Sequence, residues 1–314
     1  MRKLNEGKKA SYYVQYFSFM CILLFSNLII SQELKLKYLG TAGWEMKEGN
    51  VTILIDPYIS RLKLGDGEST NIDDKRRSFS RKDYFESDSL LIDSIIKNVD
   101  YIFVHHSHFD HLSDVPYIAK KTGAKVIATE TSCNILRAYG IPKDQLYTVK
   151  GGEDYQFDVF SVRVIPSIHS PLNGKHYFDS RTQPDTLKAP LQIKDFVEGG
   201  SLMYFIRFKN HTVLTAGSMN FIEREVQGIH PDILLPGVNF SRLEIYNYTE
   251  RLLKSTGYPK IIIPTHWDNY RVPYGFSQKI PIEKKIMPFI DEVKSASPNS
   301  KVIIPVHLET ITIN

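Results

Sequence analysis

The sequence predicts an α/β fold in which two β-sheets are packed together with helices on the outside. Short apolar segments with strand character alternate with helical segments from Leu34 onward. The alternation begins again near Phe160, and no linker rich in Gly, Ser or Pro separates the two halves. We therefore expect a single domain over residues 33–314.

The first half of the chain predicts strands followed by helices. LKLKYLG, GWEM and VTILIDP read as consecutive strands with tight connections. SDSLLIDSIIKN predicts a helix and DYIFVHH a strand. SDVPYIAKKTG predicts a helix capped by Ser113 or Asp114 and ending at Gly123, and AKVIAT predicts another strand. The polar stretch from Arg61 to Glu86 is too long for an ordinary connection, which indicates a functional or mobile loop.

The second half repeats the pattern. FSVRVIPSIH predicts a strand that ends in His169, and SLMYFIRFKNHTVLTAG predicts a hairpin that turns at residues 209–211. FIEREVQGI, EIYNYTERLLKSTG and PIEKKIMPFIDEVKSA predict helices, whereas PDILLPG and KIIIPTH predict strands, the latter ending in His266. Both halves thus bring histidines to strand ends, where the sites of α/β folds collect.

Residues 1–32 have a different character. Four basic residues among the first nine precede an apolar run, and no charged residue follows until Glu33. This layout predicts a secretory signal peptide, with an uncleaved membrane anchor as the alternative. We therefore expect an exported protein, periplasmic or extracellular, with membrane association through this segment if it is retained.

Composition limits the classes of function. The 314 residues are 42% hydrophobic and 24% charged, which is typical of a folded globular protein. Removal of residues 1–31 lowers the formal net charge from +4 to +1, because that segment holds four basic residues and one glutamate. Most of the net positive charge therefore belongs to the predicted targeting segment, and no nucleic-acid surface is predicted. Only Cys133 remains, as a packed thiol on a helix, so no intramolecular disulfide can form.

The stretch HHSHFDHL, residues 105–112, concentrates histidine beyond what a fold requires. His106 and His108 alternate along an extended loop, so both imidazoles point the same way. Asp110 and His111, at the turn into the next helix, point toward a neighbouring position. Zinc is the usual occupant of imidazole and carboxylate sites, with manganese or iron as alternatives. Four donors exceed what one open catalytic ion takes from one loop, which suggests two adjacent metal positions.

HHSHFDHL resembles the signature of the metallo-β-lactamase superfamily. TAGW and VTILIDP are similar to the opening strands of that family, with Asp56 behind the site. The resemblance extends from about Leu34 to His266 and implies a four-layer αββα sandwich. DILLP before the last histidine is similar to the branch that contains ascorbate-phosphate lactonase and N-acyl-phosphatidylethanolamine phospholipase D.

The resemblance also implies the ligand sets. PSIH would supply His169 as the third ligand of a first metal, beside His106 and His108, and PTHWD would supply His266 to a second metal, beside Asp110 and His111. The family usually has a bridging aspartate in TGD, where this chain has LTAGSMN with Ser218. A serine does not hold two cations together as a carboxylate does, so the first position is expected to be the tighter.

Three further histidines are interpreted in roles other than metal binding. His105 is interpreted as a packing residue and His307 as part of an apolar strand. His176 lies in the irregular segment 170–199, which also carries Tyr177 and lacks helical or strand periodicity. We interpret this segment as a lid over the metal, with His176 and Tyr177 nearest the cleft. The alternative is a surface insertion that decorates the sheet edge.

These features predict a metal-dependent hydrolase that directs an activated water at an ester, lactone or phosphodiester of a small-molecule or lipid-like substrate. His106 and His108 would hold the catalytic ion, and Asp110 would hold the second ion or accept a proton if that position is empty. One alternative is a phosphodiesterase or phospholipase D-like enzyme, whose phosphate-pairing candidates are Arg61, Lys63, Arg181 and Lys188. The other is a metal-binding member of the family with lost or weak turnover.

Overall fold

Two seven-stranded sheets form the centre of the protein in the computed structural model, which describes residues 33–65, 73–171 and 179–314. The predicted signal or anchor segment, residues 1–32, lies outside the described residues, as do His176 and Tyr177. In the described part of the chain, no helix has the length and apolar character needed to cross a membrane.

The first sheet is built mainly from the first half of the chain, as predicted. Its strands are β1 (Leu34–Gly40), β2 (Gly43–Glu48), β3 (Val51–Ile55), β4 (Tyr101–Phe103), β5 (Lys125–Ala128), β6 (Leu146–Thr148) and β14 (Thr310–Ile313). Their spatial order is β14-β1-β2-β3-β4-β5-β6. β1 to β3 form an antiparallel meander, whereas β3 to β6 run parallel. The helices that connect parallel strands here are α1 (Ser89–Ile95), α2 (Phe109–Leu112), α3 (Val115–Thr122) and α4 (Glu130–Ala138).

The second sheet comes from the second half. It contains β7 (Asp154–Gln156), β8 (Ser161–Ser167), β9 (Ser201–Arg207), β10 (Thr212–Ala216), β11 (Ile233–Leu235), β12 (Ile261–Ile262) and β13 (Lys301–Val302), in the order β13-β12-β11-β10-β9-β8-β7. The hairpin predicted for residues 201–217 is β9 and β10. The helices are α5 (Glu223–Val226), α6 (Tyr248–Ser255), α7 (Lys279–Pro281) and α8 (Met287–Ala296), with a π-helical turn (Ile282–Ile286) between the last two.

Buried side chains define the four layers. One core cluster joins the facing surfaces of the two sheets, for example Trp44 of β2 and Tyr204 of β9, and continues to Leu252 and Phe289 on α6 and α8. A second cluster packs the outer face of the first sheet against α1, α3 and α4, and includes the predicted packed thiol of Cys133. The predicted αββα sandwich is confirmed.

The structure differs from the sequence prediction around residues 109–114. Asp110 and His111 lie on α2, a separate one-turn helix, rather than on a turn into α3. Asp114 precedes α3, but its side chain makes no capping hydrogen bond to that helix. Its carboxylate instead accepts hydrogen bonds from the backbone N–H groups of Ile59 and Ser60, each at 2.7 Å, and from the Ser60 hydroxyl at 2.6 Å. Asp114 therefore fixes the loop that follows β3.

The two sheets approach closely at the edge where the histidines lie. His105 follows β4 of the first sheet, and its carbonyl accepts a hydrogen bond from the backbone N–H of Leu202 in the second sheet at 2.9 Å. Gly217, which follows β10, faces the His105 side chain, and a Cβ at this glycine would lie 2.4 Å from the Cβ of His105. The two sheets can therefore come this close only because residue 217 has no side chain.

We expect Gly217→Ala to destabilise the protein, because the added methyl group overpacks a buried contact, which typically costs about 1–3 kcal/mol. The free energy of unfolding, measured in denaturant, checks this. Gly65→Ala is the control, because the nearest atom to a Cβ at that position is 3.8 Å away. Equal stability of the two variants would contradict the close approach.

Candidate metal centre

The predicted ligands converge at one edge of the sandwich. His106 and His108 follow β4, and Asp110 and His111 lie on α2. His169 comes two residues after β8, and His266 follows β12. Because these strand ends from both sheets meet at the same edge, residues far apart in sequence reach a common cavity.

His106, His108 and His169 form a first group, whose donor atoms lie within 4.8 Å of one another. The Nε2 atom of His106 and the Nδ1 atom of His108 are 3.0 Å apart. Two nitrogens bound to one tetrahedral zinc at its usual bond length would be about 3.3 Å apart. His169 bonds through Nδ1 to the carbonyl oxygen of Ser170 at 2.8 Å, so Nε2 is the nitrogen that its ring would present to a cation. The donor set therefore fits a zinc-sized ion.

Asp110, His111 and His266 form a second group beside the first. Oδ2 of Asp110 is 3.4 Å from Nε2 of His266 and 3.8 Å from Nε2 of His111. The rings of His106 and His111 have their centroids only 3.9 Å apart, so the two groups adjoin. The structure thus brings together all six predicted ligands in two adjacent sets of three.

Electrostatics keep two of the histidines and the aspartate in the forms that bind metal. Burial, followed by the neighbouring imidazoles, holds the pKa of His106 well below its ordinary value and lowers the pKa of His169 to about 3. Burial opposes ionisation of Asp110, but attraction from His111 and His266 outweighs it and lowers its pKa. Near neutral pH His106 and His169 therefore offer neutral imidazole nitrogens and Asp110 offers an ionised carboxylate, which are the states that coordinate cations.

Asp56 lies behind the second group, as the resemblance implied. Its Oδ2 atom is 2.6 Å from Nδ1 of both His105 and His111, and its Oδ1 accepts the backbone N–H of His105 at 2.9 Å. Burial disfavours the charge on Asp56, yet the two histidines lower its pKa to about 2. A carboxylate can only accept here, so both imidazoles donate through Nδ1 and His111 keeps Nε2 for a cation.

His105 has a larger role than the packing interpretation gave it. It is buried, but it is also the second partner of Asp56, and its Nε2 lies 2.8 Å from the Thr215 hydroxyl on β10. His105 therefore hydrogen-bonds across the two sheets and takes no part in the two ligand sets. The sequence signal was its position directly before the motif, which by itself does not reveal a partner 49 residues away.

A second buried carboxylate, that of Asp268, lies behind His266. It accepts hydrogen bonds from Thr41 N–H at 2.9 Å, from the Tyr38 hydroxyl at 3.2 Å and from His307 Nε2 at 2.9 Å. It also forms an ion pair with Arg61 at 2.9 Å, in which both side chains are buried. Burial disfavours its charge, but Arg61 and His307 lower the pKa of Asp268.

This cluster fixes the backbone that carries His266. Thr41 and His266 both have left-handed backbone angles, with φ values of 52° and 55°, which non-glycine residues seldom adopt. The backbone N–H of His266 donates to the carbonyl oxygen of Thr41 at 2.5 Å, and the backbone N–H of Thr41 donates to the Asp268 carboxylate. The network was not predicted, because its members come from four distant parts of the chain.

Asp179 stands next to the first group. Its Oδ2 atom is 3.9 Å from Nε2 of His108, the ring nitrogen that faces away from His106. Contact with His108 and then bonding to Arg181 lower the pKa of Asp179 well below its ordinary range. Arg181 donates to both carboxylate oxygens, each at 2.9 Å. Asp179 is therefore a charged outer partner for His108.

Several other sequence interpretations need correction. Arg61 is only 1% exposed and pairs with Asp268, so it is not available to a phosphate. Lys63 donates to the carbonyl oxygen of Asp74 at 2.6 Å. Part of the segment proposed as a lid is core structure, because Leu191, Ile193 and Phe196 are buried in the second cluster. The proposed tip with His176 and Tyr177 lies outside the described residues.

The ligand sets open into a cavity of about 120 Å³. Ser218 lies in its wall, and its hydroxyl oxygen accepts the backbone N–H of Ser170 at 2.9 Å, which ties the loop of His169 to the end of β10. Arg81, Phe109, Asn239 and Tyr270 also line the cavity. None of these four was singled out from the sequence: Phe109 lies within HHSHFDHL but carries no metal-donor atom, and Arg81, Asn239 and Tyr270 lie in irregular stretches.

We expect Asp268→Asn to weaken zinc binding at the second group more than at the first, because the network that fixes His266 loses its anion. The variant should also be about 3–5 kcal/mol less stable, since Arg61 is left buried without its partner charge. Zinc titration monitored by calorimetry and denaturant unfolding of the metal-free protein measure the two effects.

Glu45→Gln is the control for this variant. Glu45 is a buried carboxylate on β2 that pairs with Lys37 and Lys47 away from the cavity, and both lysines are partly exposed. Its loss should cost less stability and leave both zinc-binding steps unchanged. Equal weakening of the two steps in Asp268→Asn would contradict the assignment of Asp268 to His266.

Comparisons with known proteins agree with this geometry. The family model described as "Beta-lactamase superfamily domain" matches residues 35–266. A UPF0173 metal-dependent hydrolase of Staphylococcus aureus is 27% identical over 245 residues, which span 76% of this chain and 87% of the relative.

Solved structures share the fold. Igni18, a metallo hydrolase from Ignicoccus hospitalis, aligns with a TM-score of 0.58 and 20% identity over 90% of this chain and 99% of its own. CmlA, a diiron β-hydroxylase from Streptomyces venezuelae, aligns with a TM-score of 0.56 and 14% identity over 90% of this chain and 54% of its own. The family match, the relatives named as metal-dependent hydrolases and the two ligand groups lead to one conclusion: the chain belongs to the metallo-β-lactamase superfamily and is a metal-dependent hydrolase.

Proposed function

We propose that this hydrolase uses zinc to cleave an ester, a lactone or a phosphodiester. The observation that carries the proposal is the pair of adjacent ligand groups that open into one cavity. Five of the six ligands are imidazoles, a donor set that suits zinc, whereas magnesium and calcium prefer oxygen ligands. When bound, such an ion lowers the pKa of a coordinated water and polarises the bond to be cleaved.

The two positions should differ in affinity. The first group offers three neutral imidazoles, and its outer contacts are the Ser170 carbonyl oxygen at His169 and the Asp179 carboxylate near His108. The second has Asp110, His111 and His266, and Ser218 stands where the family usually has a bridging carboxylate. Because the Ser218 hydroxyl oxygen already accepts the Ser170 N–H, we propose one tightly held ion and one held more weakly.

Residues of the chain have further roles in this proposal. Asp110 is ionised and lies at the cavity, so it can hold the second cation or take a proton during cleavage. Tyr270 lines the same cavity, and its pKa is raised by burial and then by Asp110. It therefore keeps its proton and can donate a hydrogen bond to negative charge that develops on the substrate. Export of the protein remains a proposal that rests on residues 1–32 alone.

The test is zinc content together with hydrolysis of 4-nitrophenyl acetate, dihydrocoumarin and bis(4-nitrophenyl) phosphate. The three substrates represent an ester, a lactone and a phosphodiester. We expect His108→Ala to lose most zinc from the first position. Its turnover should fall by at least roughly 100-fold. Loss of a residue that only hydrogen-bonds a metal ligand can already cost about that much, and His108 is a ligand itself.

His230→Ala is the matched control, because His230 is exposed and lies outside both ligand groups. It should keep the zinc content and turnover of the wild type. Unchanged zinc in His108→Ala would refute the site. Zinc binding without turnover of any of the three substrates would favour a metal-binding protein with lost activity.

A further inference from the structure

Two hydroxyl groups in the wall of the metal cavity have no hydrogen-bond partner within the protein. Ser170, Ser218 and Ser241 all line this cavity. The Ser218 hydroxyl accepts the backbone N–H of Ser170, but the hydroxyls of Ser170 and Ser241 are unpartnered although both residues are buried. Ser170 has no exposed surface, whereas Ser241 is 7% exposed. Ser241 therefore carries the unpartnered hydroxyl that a ligand in the cavity reaches more readily.

A buried hydroxyl without a partner is unfavourable for the fold. Folding removes it from water and returns no hydrogen bond, so native proteins keep few such groups. A serine hydroxyl can donate one hydrogen bond and accept two, and without a partner nothing fixes it in one of its staggered positions. An alanine would pack at residue 241 without this cost. At a cavity wall, the missing partner can be an atom of a bound ligand.

The backbone of Ser241 is held firmly in place. Ser241 lies on a 3-10 helix, Phe240–Glu244, which follows β11. The next residue, Arg242, is buried and donates to the Glu292 carboxylate of α8 at 2.8 Å. The same carboxylate accepts a hydrogen bond from the Thr249 hydroxyl of α6. The hydroxyl of Ser241 is therefore carried by an element that two outer helices fix, as a residue that positions a ligand requires.

The segment that leads to Ser241 adjoins the second ligand group. The backbone N–H of Val238 donates at 2.9 Å to the carbonyl oxygen of the residue directly before His266. A Cβ at Gly237 would lie 3.0 Å from the carbonyl oxygen of Ser218. The segment thus packs against both the loop of His266 and the residues that follow β10. A substrate whose scissile bond faces the metal donors would bring its neighbouring atoms to this wall.

We propose that Ser241 is a specificity-determining residue whose hydroxyl forms a hydrogen bond with a hydroxyl or carbonyl oxygen of the substrate, close to the bond that is cleaved. The inference rests on the proposed hydrolase function and narrows its substrate class to molecules that carry such an oxygen substituent. A site that hydrogen-bonds a substrate hydroxyl discriminates against the analogue that lacks it, because the group of the protein is then left unpaired.

The test compares ethyl 3-hydroxybutyrate with ethyl butyrate, which lacks only the hydroxyl, on the zinc-loaded protein. The ratio of their kcat/KM values measures the preference. In Ser241→Ala this ratio should fall about tenfold, because one hydrogen bond is lost. The comparison of both esters on both proteins cancels the difference in their intrinsic reactivity. The variant should keep its zinc and resist denaturant at least as well as the wild type, because alanine leaves no unpaired group.

Ser113→Ala is the matched control. The Ser113 hydroxyl is also buried and unpartnered, but Ser113 does not line the metal cavity. Its removal deletes the same chemical group and should leave the ester preference unchanged. An equal loss of activity on both esters in Ser241→Ala, or the same change of preference in both variants, would overturn the proposal.

A second measurement does not depend on turnover. It is calorimetric titration of 3-hydroxybutyrate and of butyrate, the acids that the two esters release, into the same zinc-loaded proteins. Ser241→Ala should weaken binding of 3-hydroxybutyrate about tenfold and leave binding of butyrate unchanged. Equal affinity of all three proteins for 3-hydroxybutyrate would overturn the role of Ser241. Failure to hydrolyse either ester, while 3-hydroxybutyrate affinity still depends on Ser241, would instead refute the ester hydrolysis and keep the role of Ser241 in binding.

Discussion

The buried carboxylate of Asp56 is the interaction on which the site depends. It is inaccessible to solvent, so its charge must be satisfied by the protein. Three donors do this: the backbone N–H of His105, the ring of His105 and the ring of His111. The same bonds set which nitrogen of His111 faces the second ligand group and which nitrogen of His105 meets Thr215 of the other sheet. One side chain thus couples the packing of the two sheets to the orientation of a metal donor.

Asp268 has the corresponding role for the loop of His266. Both carboxylates are buried, both have lowered pKa values, and both lie one layer behind the cavity. Left-handed backbone occurs at Thr41, Asp56, Arg61 and His266, all of which belong to these two networks. Such backbone is costly, and it persists because the surrounding hydrogen bonds and ion pairs over-determine it. The positions of the metal-donor side chains are therefore fixed by polar groups that do not line the cavity.

The sequence predicted the parts of the fold and site that depend on local patterns. The αββα layers follow from the alternation of strands and helices, and the spacing of His106, His108, Asp110 and His111 identified a metal-binding loop. His169 and His266 each end a predicted strand, and the resemblance to the metallo-β-lactamase superfamily implied that both are ligands. The structure places all six in two groups.

The supporting residues were not predicted, for a physical reason. Arg61 was interpreted as a loop cation that could meet phosphate, because a polar stretch does not reveal a buried partner 207 positions away. His105 and His307 have the same kind of long-range partner, Asp56 and Asp268, and such pairs leave no periodicity in the sequence. Arg81 and Lys194 become neighbours only through backbone pairing of two irregular segments. Long-range neighbours of this kind were therefore visible only in three dimensions.

The measurement that tests the central claim most directly is anomalous diffraction at the zinc edge from crystals of the zinc-loaded protein. The account predicts a strong peak at about 2.0–2.1 Å from His106 Nε2, His108 Nδ1 and His169 Nε2. A weaker peak should lie among Asp110, His111 and His266. A peak held by other residues, or a second position occupied before the first, would contradict it.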